Sequence, residues 1–174
     1  MKISLTEKRV KKIVEGLSKH KFVYAIDKDH DRVMFTCDGT ILYYSDIYPG
    51  LIEFLSEYNS CERDFDTINK MFITYRNKAF DNKSIAYYSY DQLSKLPRIK
   101  WYDDRLSRDV SCIQFSKKHI VKASFFEGLS NKKFRYEQIP ISDQVSMIYV
   151  YSIVDESITA IIFGLRGKYY GINR

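Results

Sequence analysis

The sequence predicts one domain of α/β or α+β class: an N-terminal helix over residues 1–21, an α/β core over residues 22–127 and an antiparallel β-meander over residues 135–174. Three observations predict it. Apolar residues recur at helical spacing near the N-terminus, short β-forming runs alternate with helical segments as far as residue 102, and beyond Pro140 the composition turns to long apolar runs separated by turn residues. A chain of 174 residues buries about 70% of the surface its unfolded form exposes, so it folds around one core without disulfides.

Ser4-x-x-Glu7 reads as a capping box, and Val10, Ile13, Val14 and Leu17 share one face of the helix that follows, with Lys8, Lys11 and Lys12 turned to solvent. Residues 22–26, 33–37 and 41–44 are short runs of β-formers. Asp38-Gly39 between the last two has two readings: a two-residue hairpin turn, or the end of the first strand of a parallel core. Pro49-Gly50 opens a helix with Leu51, Phe54, Leu55 and Tyr58 on one face, and Asp64 or Asp66 caps the next one. The tail of that segment, residues 71–74, reads equally as a strand. A strand at 85–88, a short helix at 91–96 and a strand at 99–102 complete an alternation that argues for a parallel layer. Residues 110–115 read as a short helix, residues 119–125 as a strand and residues 130–135 as a basic loop; the meander comprises residues 145–153, 158–165 and 168–172.

Composition sets further bounds. The net charge of +6 favours nucleic acids, phosphorylated ligands or acidic protein surfaces as partners. Fifteen tyrosines and eleven phenylalanines suit partner contacts or base stacking, although an AT-rich genome, phage or low-GC bacterial, inflates the same residues. Cys37, Cys61 and Cys112 are odd in number and lack metal-ligand spacing, and no signal-like apolar stretch is present, so a cytoplasmic setting with no membrane partner is expected. His20, His30 and His119 have no Cys or Glu at metal spacing and read as ordinary histidines.

Four segments stand in a telling order: Phe35-Thr36-Cys37-Asp38-Gly39-Thr40, the Pro49-Gly50 helix start, Ile73-Thr74-Tyr75-Arg76, and Trp101-Tyr102-Asp103-Asp104-Arg105. Their sequence resembles the phosphate-handling scaffold of the haloacid dehalogenase-like superfamily. The resemblance implies a small Rossmannoid core and a phosphohydrolase or pseudo-phosphatase acting on, or sensing, nucleotide or nucleic-acid phosphates. It implies that Asp38 is the general acid, Thr74 the phosphoryl-binding hydroxyl, Lys100 (with Lys95 and Arg98 as alternatives) the charge-neutralising base, and Arg105 a phosphate neighbour. Mg²⁺ would then be held by Asp38, Asp103 and Asp104. Thr36 stands where the family has its nucleophilic aspartate, and a hydroxyl there forms no acyl phosphate and ligates Mg²⁺ poorly. In an alternative register Asp27 is the nucleophile and Asp29 the acid, and the Asp38-Gly39 turn belongs to a hairpin flap. A reading of a different class is a non-enzymatic, basic, Tyr-rich interaction module, phage-encoded, that binds nucleic acid or a host protein and uses the meander as an edge for strand addition.

Overall fold

The computed structural model describes residues 8, 10–15, 22–29, 31–37, 41–46, 49–58, 60–81, 86–104, 107–117, 119–143, 145–154 and 158–165. Helix α1 occupies residues 8–15, with residue 9 left undescribed. The strands and helices that follow are β1 (Phe22–Asp27), β2 (Arg32–Cys37), β3 (Ile41–Asp46), α2 (Leu51–Ser56), β4 (Ser60–Glu62), α3 (Phe65–Asp81), β5 (Ala86–Ser89), α4 (Tyr90–Ser94), β6 (Arg98–Asp103), β7 (Arg108–Ser116) and β8 (His119–Lys122). A 3-10 turn (Ala123–Phe126) leads to β9 (Phe134–Pro140), β10 (Ser146–Ser152) and β11 (Ile158–Phe163).

The strands form an eight-stranded sheet in the order β4-β1-β2-β3-β11-β10-β9-β5 and a three-stranded sheet in the order β6-β7-β8. Among the described residues only β1 and β4 pair in parallel, and every other neighbouring pair is antiparallel. This overturns the Rossmannoid α/β core. A parallel pair needs a crossover of a dozen or more residues, but β1 turns into β2 through residues 28–31, and β6 into β7 through residues 104–107. The expected helix at 110–115 is the middle of β7, and β9 was not foreseen. Of the meander, β10 and β11 do pair antiparallel, but both lie inside the large sheet, so neither offers an edge for strand addition. Residues 168–172 lie outside the described residues.

Alternation along the strands sorts the core into two layers. Tyr24, Val33, Phe35, Tyr136, Ile148, Val150 and Ile162 face the small sheet, α1 and α2, while Ala25, Met34, Ile139, Met147, Tyr149 and Ile161 face Phe65 and Ile68 of α3. Each helix forms where its cap permits. Gly50 takes φ 84° at the N-cap of α2, a conformation that suits glycine, and buries Leu51 and Leu55 beyond it. Asp64 accepts hydrogen bonds from the Thr67 backbone N–H and hydroxyl, each at 3.0 Å, and so starts α3. Ser89 and Gln92 form a reciprocal capping box on α4. On α1, Val10, Ile13 and Val14 are buried and Lys8 and Lys12 exposed, as the helical spacing anticipates.

Candidate functional site

Those of the residues expected to gather around a phosphate that are described sit on different elements. Asp27 closes β1, where its carboxylate accepts the Asp29 backbone N–H at 3.2 Å. With Asp31 at φ 50°, this is the chemistry of a hairpin turn: aspartates bond the backbone two residues on and tolerate the left-handed region. Asp29 is exposed in that turn. Thr36 is buried in β2, the last residue but one of the strand, on the face shared with Met34, and its hydroxyl is unpartnered among the described residues. Thr74 lies in the middle of α3, not on a strand. There its exposed hydroxyl donates to the Lys70 carbonyl at 2.8 Å, a bond internal to the helix. Lys100 is exposed on β6 and Asp104 exposed in the following turn. Asp38 and Arg105 lie outside the described residues. Among the described residues no three His, Cys, Asp or Glu side chains are placed to hold a metal ion; Asp38, one of the three residues that the resemblance assigns to Mg²⁺, is not among them.

Asp103 does have a cationic partner, one from the protein itself. It is buried at the end of β6 and forms an ion pair with Lys122 of β8. The Lys122 ammonium also lies 5.8 Å from the centre of the Phe125 ring. Cys112 of β7 stands opposite Lys122 in register, and burial, opposed by Lys122 and reinforced by Asp103, pushes its thiol up to about 11. This carboxylate's charge is thus already matched inside the fold.

A second buried polar group joins the two sheets. His119 of β8 has Nδ1 2.6 Å from the Ser146 hydroxyl and 3.0 Å from the Gln138 amide nitrogen, and Nε2 3.1 Å from the Asp143 carbonyl. A carbonyl only accepts, so Nε2 carries the proton and Nδ1 is the acceptor. Gln138 also donates to Ser146 at 3.1 Å and accepts from the Tyr88 hydroxyl at 3.1 Å. A serine beside a histidine has the form of a nucleophile and its base. Here, however, Ser146 is buried between β9 and β11, so the cluster serves as a joint between the sheets.

Charge is left open elsewhere. A cleft of about 690 Å³ runs between α1, the start of β6 and the segment after the 3-10 turn, and it is lined by Lys8, Lys11, Lys12 and Arg98 against two carboxylates, Glu15 and Glu127. Lys8, Lys12 and Arg98 are exposed. Lys8 and Lys12 stand four residues apart, a like-charged spacing that costs a helix about 0.2–0.5 kcal/mol when nothing anionic lies between. Lys11 lies 5.7 Å over the Phe54 ring of α2. The opposite wall is held firmly: the Leu129 N–H donates to the Phe126 carbonyl at 2.9 Å, the Ser130 hydroxyl to the same carbonyl at 3.0 Å, and the buried Tyr136 hydroxyl to the Leu129 carbonyl. The sequence shows the lysines of α1 as a basic face. What it does not show is that Arg98, separated from them by more than 80 residues, completes the cleft.

Compared with protein-family models, with curated proteins and with solved structures, the chain matches none. Among the described residues no helix is long and apolar enough to cross a membrane.

Proposed function

We propose that this chain is a binding module, without a catalytic step of its own, whose basic cleft takes a polyanionic partner carrying phosphates. One observation carries the reading: four cationic side chains from two distant parts of the chain converge on a single cleft, against two carboxylates among the described residues that line it. Such convergence focuses a positive field beyond what the net charge supplies and accelerates encounter with anions.

Chromatography on immobilised heparin separates a cleft from a merely basic surface. The triple variant Lys8→Ala, Lys12→Ala, Arg98→Ala is compared with Lys28→Ala, Lys70→Ala, Lys117→Ala, in which three exposed lysines outside the cleft lining are removed. Both lose the same formal charge. The cleft variant is expected to elute at distinctly lower salt than the control; equal shifts in the two triples would sink the cleft reading and leave a generic basic surface.

A further inference from the structure

Strand β6 extends the cleft in one direction. Its exposure alternates, with Arg98, Lys100 and Tyr102 exposed and Ile99, Trp101 and Asp103 turned inward. Arg98 lines the cleft, so Lys100 and Tyr102 continue from it along the same face. Residues two apart on a strand are about 6.6 Å apart, a repeat comparable with that of phosphates along an extended single strand. β6 is an edge strand of its sheet, and Ser111 of β7 stands opposite Lys100 as a further hydroxyl. Opposite Tyr102 is Asp109, exposed and acidic, which disfavours a phosphate at that position. Tyr102 itself keeps half of its surface exposed, a large ring open to solvent beside a run of cations.

Resting on the cleft reading above, we infer that the anionic partner is a single-stranded nucleic acid, laid from the α1 cleft along β6 with phosphates near Arg98 and Lys100 and a base stacked on Tyr102. Cations that follow the backbone and an aromatic face for the base are the two parts of sequence-tolerant single-strand recognition. A duplex keeps its base faces stacked on one another and offers none to Tyr102. The cleft volume of about 690 Å³ lies in the range of sites that take one small ligand, such as a nucleotide or two, and not a double helix.

Fluorescence anisotropy with a labelled single-stranded oligonucleotide of ~12 residues, within the span of such sites, tests this against the matching duplex and against polyglutamate. The single strand is expected to bind most tightly. Tyr102→Ala is expected to weaken it roughly tenfold without changing the salt slope, as loss of one stacked base does, and Tyr102→Phe to restore most of the affinity. Lys100→Ala is expected to reduce the log–log salt slope by about 0.7, the value for one phosphate contact on a single strand. Tyr87→Ala, which removes an exposed tyrosine from a strand of the other sheet, is expected to change nothing. If the cleft triple variant loses binding while Tyr102→Ala binds as the parent does, or if the duplex is preferred, the single-strand inference falls and the basic cleft stands; if polyglutamate is preferred, the phosphate reading falls with it. If none of the three probes binds, both fall.

Discussion

On the inner face of β6, Asp103 is buried against Lys122, with Cys112 beside them; on the outer face, Arg98 and Lys100 stand exposed two residues apart and lead to Tyr102. The strand is the same and the residue types are similar, yet the two faces treat charge in opposite ways. A charge taken out of water must meet its counterion inside the fold, because burial alone costs several kcal/mol per ion. A charge left in water carries no such penalty and is available to a partner. Asp103 belongs to the first kind, whereas Arg98 and Lys100 belong to the second. Residue type alone does not separate the structural ion from the binding one; the separation lies in which face of the strand is covered.

The largest expected effect breaks the closed face. Lys122→Met removes the ammonium paired with Asp103 while the carboxylate stays buried, which is expected to lower stability by about 3–5 kcal/mol in urea denaturation. Adding Asp103→Asn is expected to recover a substantial part of that loss, since no ion then remains to be compensated. A Lys122→Met variant as stable as the parent would show that the pair is not matched as the structure has it. A smaller but still clear effect lies at the joint between the sheets. A methyl group added at Gly164 would sit 3.0 Å from the Ser146 carbonyl and 3.3 Å from that of Ile120, and both atoms belong to backbone that cannot swing aside. Gly164→Ala is therefore expected to cost about 1–3 kcal/mol, measured as a fall in the urea midpoint.

Local chemistry was the legible part of this chain. The faces of α1 and α2, an aspartate cap at 64 or 66 and the antiparallel pairing of β10 with β11 follow from spacing and from turn residues that act over three or four positions, whereas the capping box at Ser89 starts α4 a residue before the helix that the sequence suggests. What the sequence left open was pairing at a distance. Alternating strand and helix signals suit a parallel layer, and nothing local at β5 says that its partner is β9. Val110 to Phe115 contains apolar residues at both helical and strand spacing, and the sheet decided between them. The aspartates of 27–31 and 103–104 suit a turn and an active site alike, because both draw on the same short, acceptor-rich side chains. The basic cleft was half legible for the same reason in reverse: the lysines are local, while their meeting with Arg98 is a product of the fold.

The pH response sharpens the contrast further. Burial raises the Cys112 thiol from an ordinary value of 9.0 to about 11, so in the unfolded chain the thiol loses its proton first. The folded state then binds more protons between these values, and stability falls as pH rises from about 9 to about 11. Cys112→Ala is expected to flatten that part of the alkaline fall in the urea midpoint, and identical falls in parent and variant would remove the thiol from the account. The same burial is expected to keep Cys112 unreactive toward a thiol reagent at pH 8 until the protein unfolds.

The smallest expected effect is the most pointed test of the comparison. Arg98→Ala and Lys100→Ala change the open face of β6 and are expected to shift stability by no more than about 0.5 kcal/mol, the range for exposed substitutions away from special features. Thermal and urea midpoints should therefore be close to the parent's in both. A fall of the size expected for Lys122→Met would mean that these two cations are engaged inside the fold, and the division between the two faces would collapse. With unchanged midpoints, any loss of affinity for an anion in the same variants reports on contact with the ligand and not on the integrity of the strand that presents them.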